Sequence, residues 1–187
     1  MRVFSLLLLV LVSGPLQGCF PVVAAGVGAG VMMAQDRRTS GAYVEDQAIE
    51  TKAFDRVGKQ YKDVHVNITS FNRNVLISGE VQTEAVKAEI GSIVSGIENV
   101  RNVSNELVVS GTTSMTSRGS DSLITSDVKL RFMNDKRFNA DHVKVVTENG
   151  TVFLMGIVKR AEADAATEVA STTGGVQRVV KLFEYLD

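Results

Sequence analysis

The stretch VLISGEV at residues 75–81 decides the fold of this chain, because a matching stretch, VFLMGIV, stands at residues 152–158. Both stretches are rich in residues that favour β-strands, and each has a glycine two positions before its last valine. Self-similarity at a fixed offset is the sequence signature of a repeated structural unit. The two stretches therefore predict one core strand in each of two copies of the same domain.

Matches on both sides of these strands occur in the same order in the two halves of the chain. Upstream, apolar residues recur at every fourth position, which is the pattern of an amphipathic helix. These residues are Ile49, Ala53 and Val57 in the first half, and Ile124, Val128 and Phe132 in the second. Segments 64–66 and 141–143 align at the offset of the core strands, and GIENV at 96–100 resembles GVQRV at 175–179. The conserved order of these matches indicates a duplicated domain.

Each copy is predicted to contain a helix, two strands, a second helix and a last strand. The first two strands are joined by the turn sequences 72–74 and 148–150, and the Asn149-Gly150 pair is a strong hairpin signal. The predicted helices are 45–60, 83–95, 121–134 and 161–172, and the predicted strands are 64–70, 74–80, 100–109, 142–147, 151–157 and 178–186. The predicted fold class is therefore α+β, with a three-stranded mixed sheet covered by two helices in each copy.

The beginning of the chain resembles a bacterial lipoprotein signal. An apolar run at residues 3–12 is followed by a helix-breaking Ser-Gly-Pro and then by the box LQGC at 16–19. In such lipoproteins the cysteine receives the lipid and becomes the first mature residue, so Cys19 is the predicted lipidation site. In many such lipoproteins of Gram-negative bacteria, an Asp directly after the cysteine retains the protein at the inner membrane. The residue here is Phe20, so the resemblance implies an outer-membrane anchor facing the periplasm. The alternative is an ordinary secretory signal with an incidental cysteine.

The domain boundaries are predicted from these features. The segments are a signal peptide at 1–18, a lipidated apolar segment at 19–44, a first domain at 45–110, a linker at 111–120 and a second domain at 121–187. The linker is rich in Gly, Ser and Thr without periodicity, as flexible linkers are. Residues 21–34 form an apolar stretch that is shorter than the ~20 residues a membrane-spanning helix requires. A spanning helix there is the alternative to a flexible segment near the lipid surface.

Charge and the supply of reactive side chains disfavour several function classes. The chain has 20 basic and 21 acidic residues and no Trp, so it lacks the basic patch that nucleic-acid binding requires. His65 and His142 occupy equivalent places at strand starts and are predicted to be exposed strand-edge residues. No His, Cys or carboxylate cluster has metal-ligand spacing along the sequence, and no motif indicates a cofactor. An enzyme is therefore the disfavoured hypothesis.

The repeated motifs resemble those of BON domains. They are the Gly-x-Val motifs at 79–81 and 156–158 and the later patterns at 96–100 and 175–179. Three further stretches strengthen the resemblance: the box LQGC at 16–19, DRRTSG at 36–41 and TENGTVFLMG at 147–156. With them, the motifs are similar to those of dual-BON-domain outer-membrane lipoproteins. The resemblance implies a non-catalytic periplasmic protein that binds anionic phospholipid, such as phosphatidylglycerol, and supports outer-membrane integrity, with enrichment at division sites.

The resemblance also implies that lipid contact lies on the first helix of the second domain. Leu123 and Leu130 are seven residues apart there, so they share one face outside the core stripe. Basic residues flank Leu130, and each well-placed Lys or Arg adds ~1 kcal/mol at an anionic surface. The candidate phospholipid-binding residues are Leu123, Ile124, Asp127, Lys129, Leu130 and Arg131. The alternative is that Leu130 packs against the second helix and the basic residues form a solvated face.

A protein-interaction adaptor of the cell envelope is the second hypothesis. Residues 45–110 carry ten acidic and seven basic side chains, which makes the first domain a poor partner for anionic lipid. Exposed sheet edges in small α+β domains can pair with a strand of another protein. In this hypothesis the first domain, or an exposed sheet edge, is the docking side, and the second domain is the lipid-binding side.

Overall fold

The computed structural model describes residues 36–62, 64–110 and 115–187, with side chains from residue 118 onward in the last range. Residues Gln35–Asp187 form one compact unit. The predicted signal peptide, Cys19 and the apolar stretch 21–34 lie outside the described residues. In the described part of the chain, no helix has the length and apolar character needed to cross a membrane.

The first copy folds into two helices and a mixed sheet. Its elements are α1 (Ser40–Gln60), β1 (His65–Phe71), β2 (Asn74–Val81), α2 (Glu84–Ser95), β3 (Asn102–Asn105) and β4 (Val108–Val109). Helix α1 begins after Thr39, whose side-chain oxygen accepts a hydrogen bond from the backbone N–H of Ala42. Strand β2 is central, since it pairs antiparallel with β1 and parallel with β3 and β4.

The last strand of the first copy is interrupted, whereas the sequence predicts one strand over 100–109. The side chain of Leu107 is buried in the core of the domain, and its backbone N–H donates a hydrogen bond to the side-chain oxygen of Asn105. This local bond takes the N–H of Leu107 out of the sheet. The pairing with β2 resumes in the same register, with Asn74 opposite Asn102 and Glu80 opposite Val108.

The second copy repeats the order of the first. Its elements are α3 (Met115–Asn134), a single 3-10 turn (Ala140–His142), β5 (Val143–Glu148), β6 (Thr151–Val158), α4 (Arg160–Ser171) and β7 (Arg178–Tyr185). Strand β6 pairs antiparallel with β5 and parallel with β7. The predicted α+β class with a mixed sheet in each copy is therefore confirmed.

The helices of each copy cover one face of its sheet and form a core there. The predicted apolar stripes of α1 and α3 are buried in these two cores. Strand β2 contributes Val75 and Ile77 to the first core, and β6 contributes Val152 and Leu154 to the second. Side chains on alternate positions of a strand point to opposite faces, so the residues between them must face away from the helices.

These intervening residues form a third core, in which the two sheets meet. Phe71 and Leu76 of the first copy pack with Phe153 and Met155 of the second, and all four are buried. Leu76 and Phe153 occupy equivalent positions in the two copies. Both central strands are thus buried on both faces, which explains why each reads as an almost continuous apolar run. The two domains consequently pack through their sheets, with the helices on the outside.

The glycine of each Gly-x-Val motif is required by the close approach of the neighbouring strand. A Cβ atom on Gly79 would collide with the carbonyl oxygen of His65, and one on Gly156 would collide with that of His142. Gly79 also has a positive φ of 118°, which residues with a side chain rarely adopt. The two motifs therefore mark the same backbone contact in both copies.

Candidate functional site

The outward face of α3 carries three exposed apolar side chains. Leu123 is 70%, Leu130 is 57% and Met133 is 72% exposed. With 3.6 residues per turn, the three lie within about 80° of one another around the helix axis, opposite the core residues. We call these three residues the α3 apolar stripe. Met133 is absent from the sequence-based prediction, although its position three residues after Leu130 places it beside that leucine.

Two basic side chains lie on either side of the α3 apolar stripe. Arg131 donates hydrogen bonds to the Oγ1 atoms of Thr173 and Thr172, at 2.7 Å and 2.9 Å, so its guanidinium group is held beside the end of α4. Lys129 is exposed and forms no ion pair with any residue in the described part of the chain. Arg131 thus provides a cation held by hydrogen bonds, and Lys129 provides an exposed cation, on opposite borders of the α3 apolar stripe.

The remaining predicted site residues have different positions. Asp127 is exposed on the same side of α3 as the leucines, where its carboxylate would oppose an anionic surface. Ile124 is only 9% exposed and packs in the core of the second domain, so its side chain does not belong to the surface. Leu130 is 57% exposed, which disfavours the alternative in which it packs against α4; the alternative of a solvated basic face stays open.

The first domain presents a different exposed side chain on its equivalent helix. Phe54 of α1 is 68% exposed and lines a shallow groove together with Ile68, Gly58 and Lys62. The position equivalent to Phe54 in α3 is Lys129, since the core residues of the two helices are offset by 75. The two helices have therefore diverged on their outer faces while keeping the same inner face.

His65 is not the exposed strand-edge residue that the sequence predicts. Its side chain is 17% exposed, and its Nδ1 atom lies 2.8 Å from Oε2 of Glu80 and 3.7 Å from Oε1 of Glu148. His65 and Glu80 face each other across the β1–β2 pair, whereas Glu148 comes from the end of β5 in the second domain. The packing of the two sheets creates this cluster, so residue spacing along the chain does not predict it.

Burial raises the pKa of the Glu148 carboxyl above its usual range. A hydrogen bond from Asn67 Nδ2 to Glu148 Oε2, 2.7 Å long, and the proximity of His65 act in the opposite direction. The carboxylates of Glu80 and Asp121 raise the pKa further by repulsion. The cluster therefore brings two glutamate side chains together where the two domains meet.

The repeated αββαβ domain and its glycine motifs define the class of this protein. The chain belongs to the BON domain family, which matches residues 45–111 and 120–187. It is 39% identical over 175 residues to the outer membrane lipoprotein DolP of Haemophilus influenzae, covering 92% of this chain and 91% of the relative.

Two further relatives share most of the chain. One is the 21 kDa hemolysin of Actinobacillus pleuropneumoniae, with 31% identity over 154 residues, 81% of this chain and 79% of the relative. The other is the osmotically-inducible protein Y of Escherichia coli, with 29% identity over 144 residues, 74% of this chain and 72% of the relative. The expected membership of a dual-BON-domain family is thereby confirmed.

Proposed function

We propose that this protein is a non-catalytic outer-membrane lipoprotein that faces the periplasm and binds anionic phospholipid through α3 of its second domain. In this role it supports the integrity of the outer membrane, with enrichment at division sites. The observation that carries the proposal is the α3 apolar stripe, exposed beside Lys129 and Arg131. The likeness to an outer membrane lipoprotein over most of both chains supports the location.

The chemistry of the surface fits a shallow contact with headgroups. Leucine and methionine side chains gain about 25 cal/mol for each Å² of apolar surface removed from water, so even partial insertion is favourable. Lys129 adds ~1 kcal/mol if its ammonium group meets a phosphate. Asp127 opposes this attraction, and the intrinsic affinity should therefore be weak.

A lipid on Cys19 would make a weak protein–lipid contact effective. A tether converts the second contact into an intramolecular step, with an effective concentration in the millimolar range for a short flexible connection. Multiple acyl chains on one residue hold a protein stably at a bilayer, whereas one chain does not. The proposed mechanism is thus attachment by Cys19 and recognition of the headgroup by α3.

The experiment is vesicle co-sedimentation of residues 36–187, which cover the described compact unit without the predicted anchor. We expect binding to vesicles that contain phosphatidylglycerol, weakening with salt, and no binding to purely neutral vesicles. The variant Leu123→Ser/Leu130→Ser/Met133→Ser should lower the partition coefficient at least tenfold, and Lys129→Gln should lower it severalfold.

Matched controls come from the first domain. Phe54→Ser removes an apolar side chain of similar exposure from α1, and Lys62→Gln removes an exposed lysine near it. Both variants should bind anionic vesicles like the unmodified protein. An equal decrease of the partition coefficient in the control variants would contradict recognition by α3. Equal binding to neutral and anionic vesicles would contradict it as well.

A second candidate function is protein docking on the first domain. The specific observation in its favour is the side chain of Phe54, which is 68% exposed and lines a groove together with Ile68. Envelope function lost on Phe54→Ser, with vesicle binding intact, would favour this adaptor role.

A further inference from the structure

We propose that His65, Glu80 and Glu148 form a binding site for a divalent transition-metal ion between the two domains. Zn²⁺ is the ion that this set of ligands fits best. The proposal is independent of lipid binding, because the three residues lie at the contact of the two sheets and not on the α3 apolar stripe. One ligand comes from the second domain, so a bound ion would join the two copies.

The distances suit one ion. The three ligand atoms, one from each side chain, all lie within 4.8 Å of one another. Zinc bonds to nitrogen and oxygen are 2.0–2.2 Å long, so ligand atoms of a tetrahedral site are separated by about 3.4 Å. His65 Nδ1 is 2.8 Å from Glu80 and 3.7 Å from Glu148. Side-chain shifts of less than about 1 Å would therefore place all three at bonding distance.

The electrostatics of the cluster also favour a cation. Glu80 is 2% and Glu148 is 8% exposed, and buried carboxylates are unfavourable unless a positive charge or a metal compensates them. The Asp121 carboxylate approaches the cluster as well, although its oxygens already accept hydrogen bonds from the N–H groups of Asn149 and Gly150. A divalent ion would neutralise both glutamates.

Asn67 supplies an additional polar group at the cluster. Its Nδ2 atom lies 2.7 Å from Glu148 Oε2 and 3.4 Å from Nε2 of His65. In the present arrangement the amide orients the carboxylate, as outer-shell groups do at metal sites. With three protein ligands, a water molecule would complete a tetrahedral site.

The mixture of ligands selects among metals. An imidazole with carboxylates suits Zn²⁺ and related transition metals, whereas Ca²⁺ and Mg²⁺ prefer oxygen ligands alone. Among the described residues this set of ligands occurs once, since Ile157 replaces Glu80 and Phe71 replaces Glu148 at the equivalent positions of the other copy. His142 is the control, because it aligns with His65 in the repeat but lacks both glutamates at the corresponding positions; it lies in the 3-10 turn before β5.

The test is isothermal titration of ZnSO₄ into the full chain in detergent micelles at pH 7, without an affinity tag. Cys19→Ala removes the only thiol from all samples. We expect one ion per chain, with an affinity reduced at least tenfold by His65→Gln, Glu80→Gln or Glu148→Gln. His142→Gln should bind like the parent, and Ca²⁺ or Mg²⁺ at the same concentration should produce no binding heat.

A second measurement keeps the proposal testable if a variant does not fold. In the parent protein, Zn²⁺ should raise the midpoint of thermal unfolding, and it should shift the imidazole NMR signals of His65 but not those of His142. Absence of binding at 100 µM Zn²⁺ in a folded parent would show that the cluster is only a hydrogen-bonded His–Glu pair and would overturn the proposal. Zinc binding that persists in folded variants of all three ligand residues would also overturn the proposal.

Discussion

Asp46 and Asp121 perform the same structural task in the two copies, although neither belongs to a recognisable motif. Each lies on the first helix of its domain, three residues before the first core residue of that helix. Asp46 accepts hydrogen bonds from the backbone N–H groups of Asn72 and Arg73, at 2.8 Å and 2.7 Å. Asp121 accepts the equivalent pair from Asn149 and Gly150, both at 2.8 Å. A buried carboxylate therefore fastens each hairpin turn to a helix.

Removal of either aspartate should destabilise its domain. Asp121→Ala leaves two backbone N–H groups without their acceptor, and hydrogen bonds to charged groups contribute about 1.5–3 kcal/mol each. We expect a loss of about 2–4 kcal/mol in the free energy of unfolding, measured by urea denaturation. Asp46→Ala should cost at least as much, because Asp46 also accepts from the Ser70 hydroxyl and pairs with Arg38.

The nearby variant Asp127→Ala is the control for helix α3, because Asp127 is exposed. It should change the free energy of unfolding by less than about 0.5 kcal/mol. A loss from Asp127→Ala equal to that from Asp121→Ala would contradict the role assigned to the turn contact.

The two hairpin turns differ at one residue, and the difference predicts a stabilising substitution. Arg73 has a φ of 65°, whereas the equivalent residue of the second copy is Gly150, with a φ of 69°. A positive φ costs a residue with a side chain about 1–2 kcal/mol, and glycine loses about 0.5–1 kcal/mol through its greater freedom when unfolded. Arg73→Gly should therefore raise the midpoint of chemical unfolding.

The reciprocal change tests the same reasoning in the other copy. Gly150→Arg should lower the stability, both through the positive φ and because a Cβ atom there would lie 3.0 Å from the side chain of Gln177. If Arg73→Gly destabilised the protein, contacts of the arginine side chain would outweigh the backbone effect.

The buried carboxyl of Glu148 should make stability depend on pH. Burial raises the pKa of Glu148 in the folded protein, so this group favours folding at low pH and loses that contribution as the pH rises through its folded pKa. Glu148→Gln keeps the size and the acceptor for Asn67 but cannot ionise. Relative to the parent, we expect this variant to gain stability between pH 4.5 and pH 7, measured by urea denaturation in EDTA.

Glu98→Gln is the control for this experiment, since the Glu98 side chain is 79% exposed. Its stability relative to the parent should not vary over the same pH range. A Glu148→Gln variant that loses stability on the way to pH 7 would show that the ionised carboxylate is favourable where it lies.

The ion pair between Arg37 and Glu162 joins the segment before α1 to helix α4 of the other copy. Two hydrogen bonds from the guanidinium group, at 2.6 Å and 2.8 Å, lower the pKa of Glu162 to about 2. Because this pKa is depressed, the contribution is present at neutral pH and disappears as the pH falls toward the folded value. Glu162→Gln should lower stability at pH 7 by up to about 1 kcal/mol and converge with the parent near pH 2.

Glutamine can still accept the hydrogen bond from the backbone N–H of Lys159 at the start of α4, so the variant tests the charge and not the cap. Glu168→Gln on the same helix is the control, because the Glu168 side chain is 66% exposed in its pair with Arg137. An equal loss in both variants at pH 7 would mean that the Arg37 contact adds nothing beyond a surface ion pair.

Patterns in the sequence predicted the order and duplication of the elements, although α1 and α3 begin earlier than predicted and the last strand of the first copy is interrupted. Apolar residues at every fourth position indicated α1 and α3, and Asn149-Gly150 indicated the hairpin of the second copy. The spacing of Leu123 and Leu130 placed both on one exposed face, because helix geometry alone determines which residues share a side. The helix, hairpin and shared-face predictions depend on neighbours within about ten residues, so local geometry accounts for them.

Only the tertiary structure determined how the two copies meet and which polar groups they bring together. Strands β2 and β6 carry apolar residues both on the face toward the helices and on the opposite face. The sequence pattern does not predict what covers that opposite face. Asp46 bonds to a turn 26 residues away, and His65 lies next to Glu148, 83 residues further along the chain. Such contacts arise from the packing of whole sheets and helices, and no repeating pattern in the sequence predicts how these elements are placed relative to one another.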